Sequence, residues 1–551
     1  MNQFQTRSDA TGHPSELACP GWWLPSSQLS SHGNSLSEAL RQVTRPLYLV
    51  NTGEAIWAKT DGSALFGQER PDGGLPIMAQ ALPCLPEKLG DAQFCRDLGI
   101  RYPYIGGSMA KGISSAAMAE ELGRAGMFGF FGAAGLPFAE VEATADRLGK
   151  VDIPYGFNLI HSPHEPDLED ALSRLYIDKG IRVIEASAFL ALTLPLVRYR
   201  VHGIHRAADG TIVTPNRIIA KVSREELAAR FFSPPPEKHL RSLIAAGEIT
   251  GAQAELAAQI PMAQDITAEA DSGGHTDNRP AIALFPTILS LAAKHQANYS
   301  GIRLRVGLGG GISTPAAAAA AFAMGAAYIV TGSVNQACVE SGTCEEVRKM
   351  LAETRQADVT MAPAADMFEM GVTVQVLKRG TMFPMRAARL YEIYRAYGSM
   401  DEIPAAEKEK LEQTLFRNKL ENIWQDTRAY FQQRDPSQVE RADRDPKHRM
   451  ALVFRWYLGQ GAHWARDGEP TRKMDYQVWC GPAMGAFNEW TAGSFLEQHS
   501  RRTVVSAALN ILFGAAVQTR AAMLSCQGIR LTPEELQIQP LETAKIKEYL
   551  R

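Results

Sequence analysis

The sequence predicts an α/β protein: a (β/α)8 TIM barrel, with a small N-terminal β-containing module and a helical C-terminal substrate domain. Three observations predict it. From Tyr104 onward, short apolar runs alternate with amphipathic helical stretches, the signature of parallel β/α units. Eight such runs fall within a length typical of a closed barrel: Tyr104-Ile105, Met127–Phe131, Tyr155–Leu159, Arg182–Glu185, Arg217–Lys221, Asp265–Ala270, Arg303–Leu308 and Tyr328–Thr331. The last two end in glycine-bearing loops, Gly309-Gly310-Gly311 and Gly332-Ser333, where barrels commonly build a phosphate site. A doubly wound sheet is the competing arrangement of the same units.

Taken in chain order, residues 1–40 are rich in Ser, Gly and Pro and read as a flexible arm. In 41–97, Leu47–Val50 and Ala55–Ala58 flank the turn residues Asn51-Thr52-Gly53, a β-hairpin pattern. The barrel is expected over 98–340, with an insertion at about 198–260 that contains Ser233-Pro234-Pro235-Pro236 and is expected to overhang the mouth. Over 341–551 the strand pattern fades into helix-forming text such as Ala405–Phe416 and Thr503–Leu512, read as one helical substrate and partner domain.

Composition narrows the function classes. With 57 Lys+Arg against 60 Asp+Glu the net charge is −3, which lacks the basic field of a general nucleic-acid binder. The seven cysteines, Cys19, Cys84, Cys95, Cys338, Cys344, Cys480 and Cys526, show no paired metal or redox spacing. They read as reduced thiols in a cytoplasmic protein, and no metal site is expected. Met1–Pro20 carries no apolar signal stretch. The uncharged stretch between Arg305 and Glu340 is broken by Gly309–Gly311 and Pro315, so it reads as strand-helix-strand and not as a membrane span.

Three motifs carry chemistry. Leu304–Leu308 leads into Gly309-Gly310-Gly311-Ile312-Ser313-Thr314-Pro315. There Ser313 or Thr314 can cap a helix whose free N–H groups and dipole face a phosphate, or the segment is an ordinary tight βα turn. The P-loop and Rossmann fingerprints fail: Ile312 stands where the latter needs glycine. Asp265–Glu269 runs into Ala270-Asp271-Ser272-Gly273-Gly274-His275, whose glycines release His275 over the mouth. His275 suits proton transfer near neutral pH, the alternative being a locally satisfied loop residue. Tyr104-Ile105-Gly106-Gly107-Ser108-Met109 offers small residues against which a flat ring could lie, or a glycine turn kept only for close packing.

These motifs, in this order, resemble the nitronate monooxygenase (2-nitropropane dioxygenase-like) superfamily of FMN barrels, and more closely its PfaD-like enoyl reductases. Those act in trans on polyunsaturated fatty acid synthases and on polyketide synthases without integral acyltransferases. Ile105–Ile113, Glu269–Pro280, Gly307–Pro315, Val330–Gln336, Lys378–Arg389 and Trp479–Asn488 carry the resemblance, which covers roughly 45–535. It implies His275 as the catalytic histidine. It implies FMN-phosphate loops at Gly309, Gly310, Gly311, Gly332 and Ser333, and flavin-ring neighbours at Gly106, Gly107, Ser108, Met109 and Asn158, with Ser272, Gly273 and Gly274 of the histidine loop also among the cofactor-binding residues. Lys221 would place a cation at the ring's N1 edge; its plain reading is a solvated strand-end lysine.

The implied activity is FMN-dependent reduction of carrier-bound enoyl thioesters, with NADPH before NADH as reductant. The implied partners are acyl carrier protein domains of a megasynthase, and a homodimer is compatible with it. A nitronate monooxygenase-like oxidase and a non-catalytic FMN-binding assembly factor are the alternatives. For an acidic carrier, the expected docking face is the basic segment Lys378, Arg379, Arg386, Arg389 and Arg395. Its competitor is internal pairing such as Arg389 with Glu392.

Overall fold

The computed structural model describes residues 21–26, 35–67, 69–161 and 166–551. The greater part of the expected arm, Cys19 included, lies outside the described residues. The rest of that arm is built into the fold: Gly21–Leu24 is a strand and Leu36–Arg41 a helix. Gly21–Leu24 joins a five-stranded antiparallel sheet with Leu47–Asn51, Ile56–Lys59, Ser63–Phe66 and Leu75–Ala81. The hairpin read from sequence is its edge.

Eight parallel strands close a barrel in sequence order: β1 (Tyr104–Gly106), β2 (Phe128–Phe131), β3 (Tyr155–Ile160), β4 (Val183–Ser187), β5 (Arg217–Val222), β6 (Asp265–Glu269), β7 (Arg305–Gly309) and β8 (Ile329–Thr331). The pairing of Ile329 with Tyr104 and Val330 with Ile105 shuts the cylinder and rules out the doubly wound sheet. Side chains alternate inward and outward along each strand, and Ile105, Phe128, Phe130, Val183, Ile219, Tyr328 and Val330 share one interior cluster with Phe94. Phe94 comes from the helix Ala92–Leu98, which plugs the bottom of the barrel. Its ring stacks on Tyr328 at 4.1 Å, and Gly307 is glycine because a Cβ there would lie 2.2 Å from the Tyr328 ring. Below them Arg305 makes a two-point ion pair with Asp265 (2.6 and 3.0 Å), while Asp97 of the plug helix reaches Arg305 at 2.9 Å and Arg217 at 3.2 Å.

The expected insertion is corrected in place. Glu237–Ala245 and Gly251–Ala257 pack on the outer helix Leu194–Val201 and near His205–Arg206, on the flank of the barrel, with His239 Nε2 3.1 Å from the Leu192 carbonyl in the loop after β4. Leu240, Leu243 and Ala257 are the apolar residues they bury, which is why they lie against the outer ring.

The C-terminal stretch is not wholly helical. Val359–Pro363 and Thr373–Leu377 are strands, and Thr373–Leu377 pairs antiparallel with Gly274–His275 from the barrel mouth. A second core follows, built around Phe383, Leu390, Trp424, Phe454 and Tyr457 on the helices Phe383–Ala396, Leu420–Arg434 and Pro446–Asp467, with Phe416 from the turn Glu412–Phe416. The long helix Val504–Cys526 turns away from it and packs between Pro315–Ala323, Ala116–Arg124 and the N-terminal sheet. That helix is apolar and long enough to cross a membrane by length and composition, and most of it is buried inside the protein. Arg520 anchors it by donating to the carbonyls of Leu40 (3.1 Å) and Arg45 (2.9 Å).

At the centre of the second core's polar side sits Asp475, fully buried. It accepts from Tyr457 Oη at 2.7 Å, from Arg472 at 3.3 Å and from Arg386, with Arg417 at 3.6 Å. Arg389 pairs with Glu392 at 2.9 Å and with Glu407. Arg386 and Arg389 are thus engaged in ion pairs within the helical module, which is the internal-pairing alternative to a docking face. Arg386→Glu should destabilise the protein by about 3 kcal/mol or more, since it sets a like charge beside a buried carboxylate. Thermal or denaturant unfolding checks this. A variant as stable as the parent, with a raised KM for carrier-bound substrate alone, would return Arg386 to a docking role.

Candidate functional site

The C-terminal ends of the strands form the mouth. Because Val183 and Ile219 face the interior, Glu185 and Lys221, two residues further along β4 and β5, face inward at the rim. Lys221 Nζ lies 3.1 Å from Glu269 Oε1 on β6 and 3.9 Å from Glu185 Oε2. Burial alone would lower the Lys221 pKa, but the two carboxylates outweigh it and hold the ammonium well above its ordinary range. The plain reading of Lys221 as a solvated lysine does not survive. Glu185 is fully buried. Its Oε2 accepts the Ser108 N–H at 3.1 Å and the Ser108 hydroxyl, which ties the β1 loop to β4.

On the phosphate side, Gly310 (φ 85°) and Gly311 (φ 77°) take the chain off β7 into the helix Pro315–Ala323. Thr314 caps that helix by accepting the Ala317 N–H at 3.3 Å, with Pro315 in its first turn. The glycines serve different purposes. A Cβ at Gly106 would lie 2.4 Å from Leu122, at Gly107 2.8 Å from Val330 and at Gly310 2.6 Å from the Ala270 backbone, so packing accounts for these glycines, while at Gly309 it would lie 3.1 Å from Thr267, a tight contact that a small shift relieves. For Gly106 the close-packing alternative is the one the contacts support. Among the described residues, Gly311 and Gly332 have nothing within 4 Å of that position. Nearby, Ser313 Oγ and Ser272 Oγ are buried without a hydrogen-bond partner among the same residues. Two open glycines, two idle hydroxyls and a helix N-terminus suit an oxyanion such as a phosphate.

The histidine loop is held from above. Gly274 pairs with Gln375 and His275 with Val374, and Gln375 Nε2 donates to Asp271 Oδ1 (2.8 Å) and to the Ser272 carbonyl (2.9 Å). Gly273 admits the Cys480 backbone, 2.8 Å from where a Cβ would stand, and the Gly481 N–H donates to Ser333 Oγ at 3.1 Å. The 479–481 segment thus touches both the histidine loop and the loop after β8. His275 Nε2 lies 3.1 Å from Asp366 Oδ1. Burial would lower the His275 pKa, yet the Asp366 bond and charge outweigh it and the net shift is upward. The same bond holds the Asp366 carboxyl below its usual range against the effect of burial. His275 keeps 37% of its side chain exposed, so solvent screens part of this attraction.

The remaining expected residues line the β1 and β3 ends. The Met109 N–H donates to Ser114 Oγ at 2.8 Å, and Asn158 Oδ1 accepts the Ala134 N–H at 3.0 Å. Of the non-glycine residues with positive φ, Lys111 (59°), Ala188 (59°) and Asn278 (49°) sit in mouth loops. Such backbone costs energy and collects at functional sites. Sequence reasoning missed Glu185, Glu269, Asp366 and Gln375 as site residues. The first two carry a legible signal, being two residues beyond an apolar position in a strand or at its end. Asp366 and Gln375 lie more than 90 residues from their partners and carry none.

Residues 397–476 match the inserted helical domain of acyl-carrier-protein S-malonyltransferase. The chain is 49% identical over 448 residues to a component of the polyunsaturated fatty acid synthase of Thraustochytrium sp., covering 80% of this chain and 30% of that protein. It is 44% identical over 444 residues to the polyketide biosynthesis protein PksE of Bacillus subtilis, covering 80% of this chain and 57% of PksE. The chain thus spans less than two thirds of these curated relatives. The solved enoyl reductase domain of MlnA, from the macrolactin biosynthesis cluster of Bacillus amyloliquefaciens, is similar with TM-score 0.76 and 40% identity, covering 80% of this chain and 99% of that domain.

Removing the carboxylate partner tests the histidine geometry. Because Asp366 raises the His275 pKa, the imidazolium is present below that pKa and is lost as pH rises through it. Asp366→Asn should lower the His275 pKa, so that the charged form disappears at a lower pH. Titration of the histidine NMR signals, with His275→Gln for assignment, reads the shift. An unmoved pKa would mean that Asp366 does not govern the imidazole.

Proposed function

The chain belongs to the enoyl reductase family of polyketide and polyunsaturated fatty acid synthases, and from that premise we propose that it reduces the α,β-double bond of enoyl thioesters held on acyl carrier proteins, using FMN and NADPH. The observation that carries this reading is the meeting, at one barrel mouth, of an oxyanion cradle, a charged Lys221 and an acid-supported His275. FMN when bound supplies the hydride chemistry. The residues fit it: Gly311, Gly332, Ser313 and the Pro315 helix end would hold its phosphate, while Ser108, Asn158 and Lys221 would border its ring.

The chain's own contribution is proton and charge control. His275 bonds Asp366 through Nε2, which leaves the proton on Nδ1 as the one it can release to the substrate α-carbon, or share with a thioester carbonyl as negative charge develops. Lys221, kept charged by its glutamates, favours negative charge on whatever lies over the rim. The strand Thr373–Leu377 and the 479–481 segment cover the histidine loop and fix its orientation. A carrier protein partner and a cytoplasmic location are part of the proposal. The first is supported by the likeness of residues 397–476 to a domain from an acyl-carrier-protein transferase.

The purified protein should be yellow and should release FMN on denaturation. A colourless protein that also refuses added FMN would remove the flavin reading. Given a carrier-bound enoyl thioester and NADPH, it should yield a product heavier by two hydrogens, read by intact mass. Oxygen consumption with a nitronate as the electron donor and without NADPH, together with no reduction of the enoyl thioester, would assign a monooxygenase-like activity in its place. His275→Ala should retain FMN and slow enoyl reduction by about 10²–10⁴-fold. Unchanged turnover under conditions where chemistry limits the rate would take His275 out of the proton step.

A further inference from the structure

Glu185 is the fully buried carboxylate of the rim. Its Oε2 receives two bonds from Ser108 and stands 3.9 Å from Lys221, while its Oε1 is buried without a partner among the described residues. Leaving a buried acceptor idle costs about 1–3 kcal/mol, and a buried charge costs more. As an acceptor for Ser108, a glutamine would serve at lower cost. What glutamine cannot do is set a second negative charge beside Lys221. The side chain is therefore accounted for by the ammonium it faces, and the pair lies at the end of the barrel where the open glycines gather.

We propose that Glu185 is a positioning residue which, through Lys221 and Ser108, fixes the ammonium and the β1 loop at the flavin site and sets the reduction potential of the bound flavin. This rests on the flavin reading given above. The charged groups facing it are Lys221 on β5 and Glu269 on β6; deeper in the barrel, the Tyr328 phenol just before β8 also feels its charge. With both glutamates ionised, the three rim groups carry one net negative charge, which opposes electron uptake. Burial raises the Glu185 pKa, against the opposing pull of Lys221 and Ser108. Its charge is accordingly present above that pKa and is lost as pH falls.

The test is the midpoint potential of FMN-loaded protein, measured by dye equilibration across a pH series, for wild type, Glu185→Gln and Lys221→Met. Glu185→Gln should raise the potential at alkaline pH. The expected size is at least a tenfold gain in relative affinity for the reduced flavin, about 30 mV for a two-electron couple. The gap should close as pH falls, because wild-type Glu185 then becomes neutral as well; a purely structural role would not produce that convergence. Lys221→Met should move the potential the other way. A Gln variant that folds and binds FMN, with a potential within experimental error of wild type, overturns the proposal. Should that variant not fold, Lys221→Met decides: an unchanged potential leaves Glu185 nothing to act through and overturns the proposal equally, while a lowered one supports it. If wild-type protein takes up no FMN, the flavin reading itself has failed and this inference falls with it, an outcome distinct from a flavoprotein whose potential ignores Glu185.

Discussion

The structure depends on the strict alternation of side chains along eight parallel strands closed into a cylinder. Each inward column must fill the bottom of the barrel and still present something useful at the top. On β5 the column reads Arg217, Ile219, Lys221; on β6, Asp265, Thr267, Glu269; on β4, Val183, Glu185. The lower layer is an ion-paired floor with Asp97 and Arg305, the middle is mostly apolar and aromatic with the Thr267 hydroxyl bonded to Tyr328 Oη at 3.0 Å, and the upper layer is the Lys221 cluster. A one-residue slip in any strand would turn its column outward and empty all three layers.

The floor and the rim use similar residues to different ends. At the floor, Arg305 and Asp265 satisfy each other at two points and Asp97 completes the set, so the charge there is spent on closing the barrel and seating the plug helix. At the rim, Lys221 is shared between two carboxylates at unequal distances, one carboxylate oxygen is idle, and backbone strain collects in the loops around it.

The barrel was legible in the sequence because each strand's signal is local: a short apolar run, a glycine turn, then a helix. All eight runs chosen from the sequence coincide with barrel strands. The glycine loops and His275 were legible for the same reason. What the sequence concealed is non-local. Thr373-Val-Gln-Val-Leu377 alternates like a strand, but it sits in a stretch dominated by helical text, and only its pairing with Gly274–His275 gives it a purpose. The basic helix Phe383–Ala396 looked like a docking face because neither Asp475 nor Glu407 is near it in the chain. The glycine motif at Gly106-Gly107 concealed two demands in one pattern: the missing side chains answer to Leu122 and Val330, while the carboxylate that orders the loop stands on β4.

The pairing of Thr373–Leu377 with the histidine loop also makes the helical module a part of the site. His275 leaves the barrel on a glycine tether that has no intrinsic order, and its acid partner Asp366 precedes the strand that pins that tether. Asp366 is separated from that strand by the short turn Phe368–Met370, whose Phe368 is buried in the second core against Phe454. A chain of direct contacts therefore runs from Phe454 on the helix Pro446–Asp467 through Phe368 to the segment carrying Asp366, and from there to the imidazole. That path places the helix two contacts away from the segment carrying the Asp366 carboxylate. The barrel supplies the cradle, but the orientation and charge of the histidine are set by a module whose sequence begins some 90 residues further on.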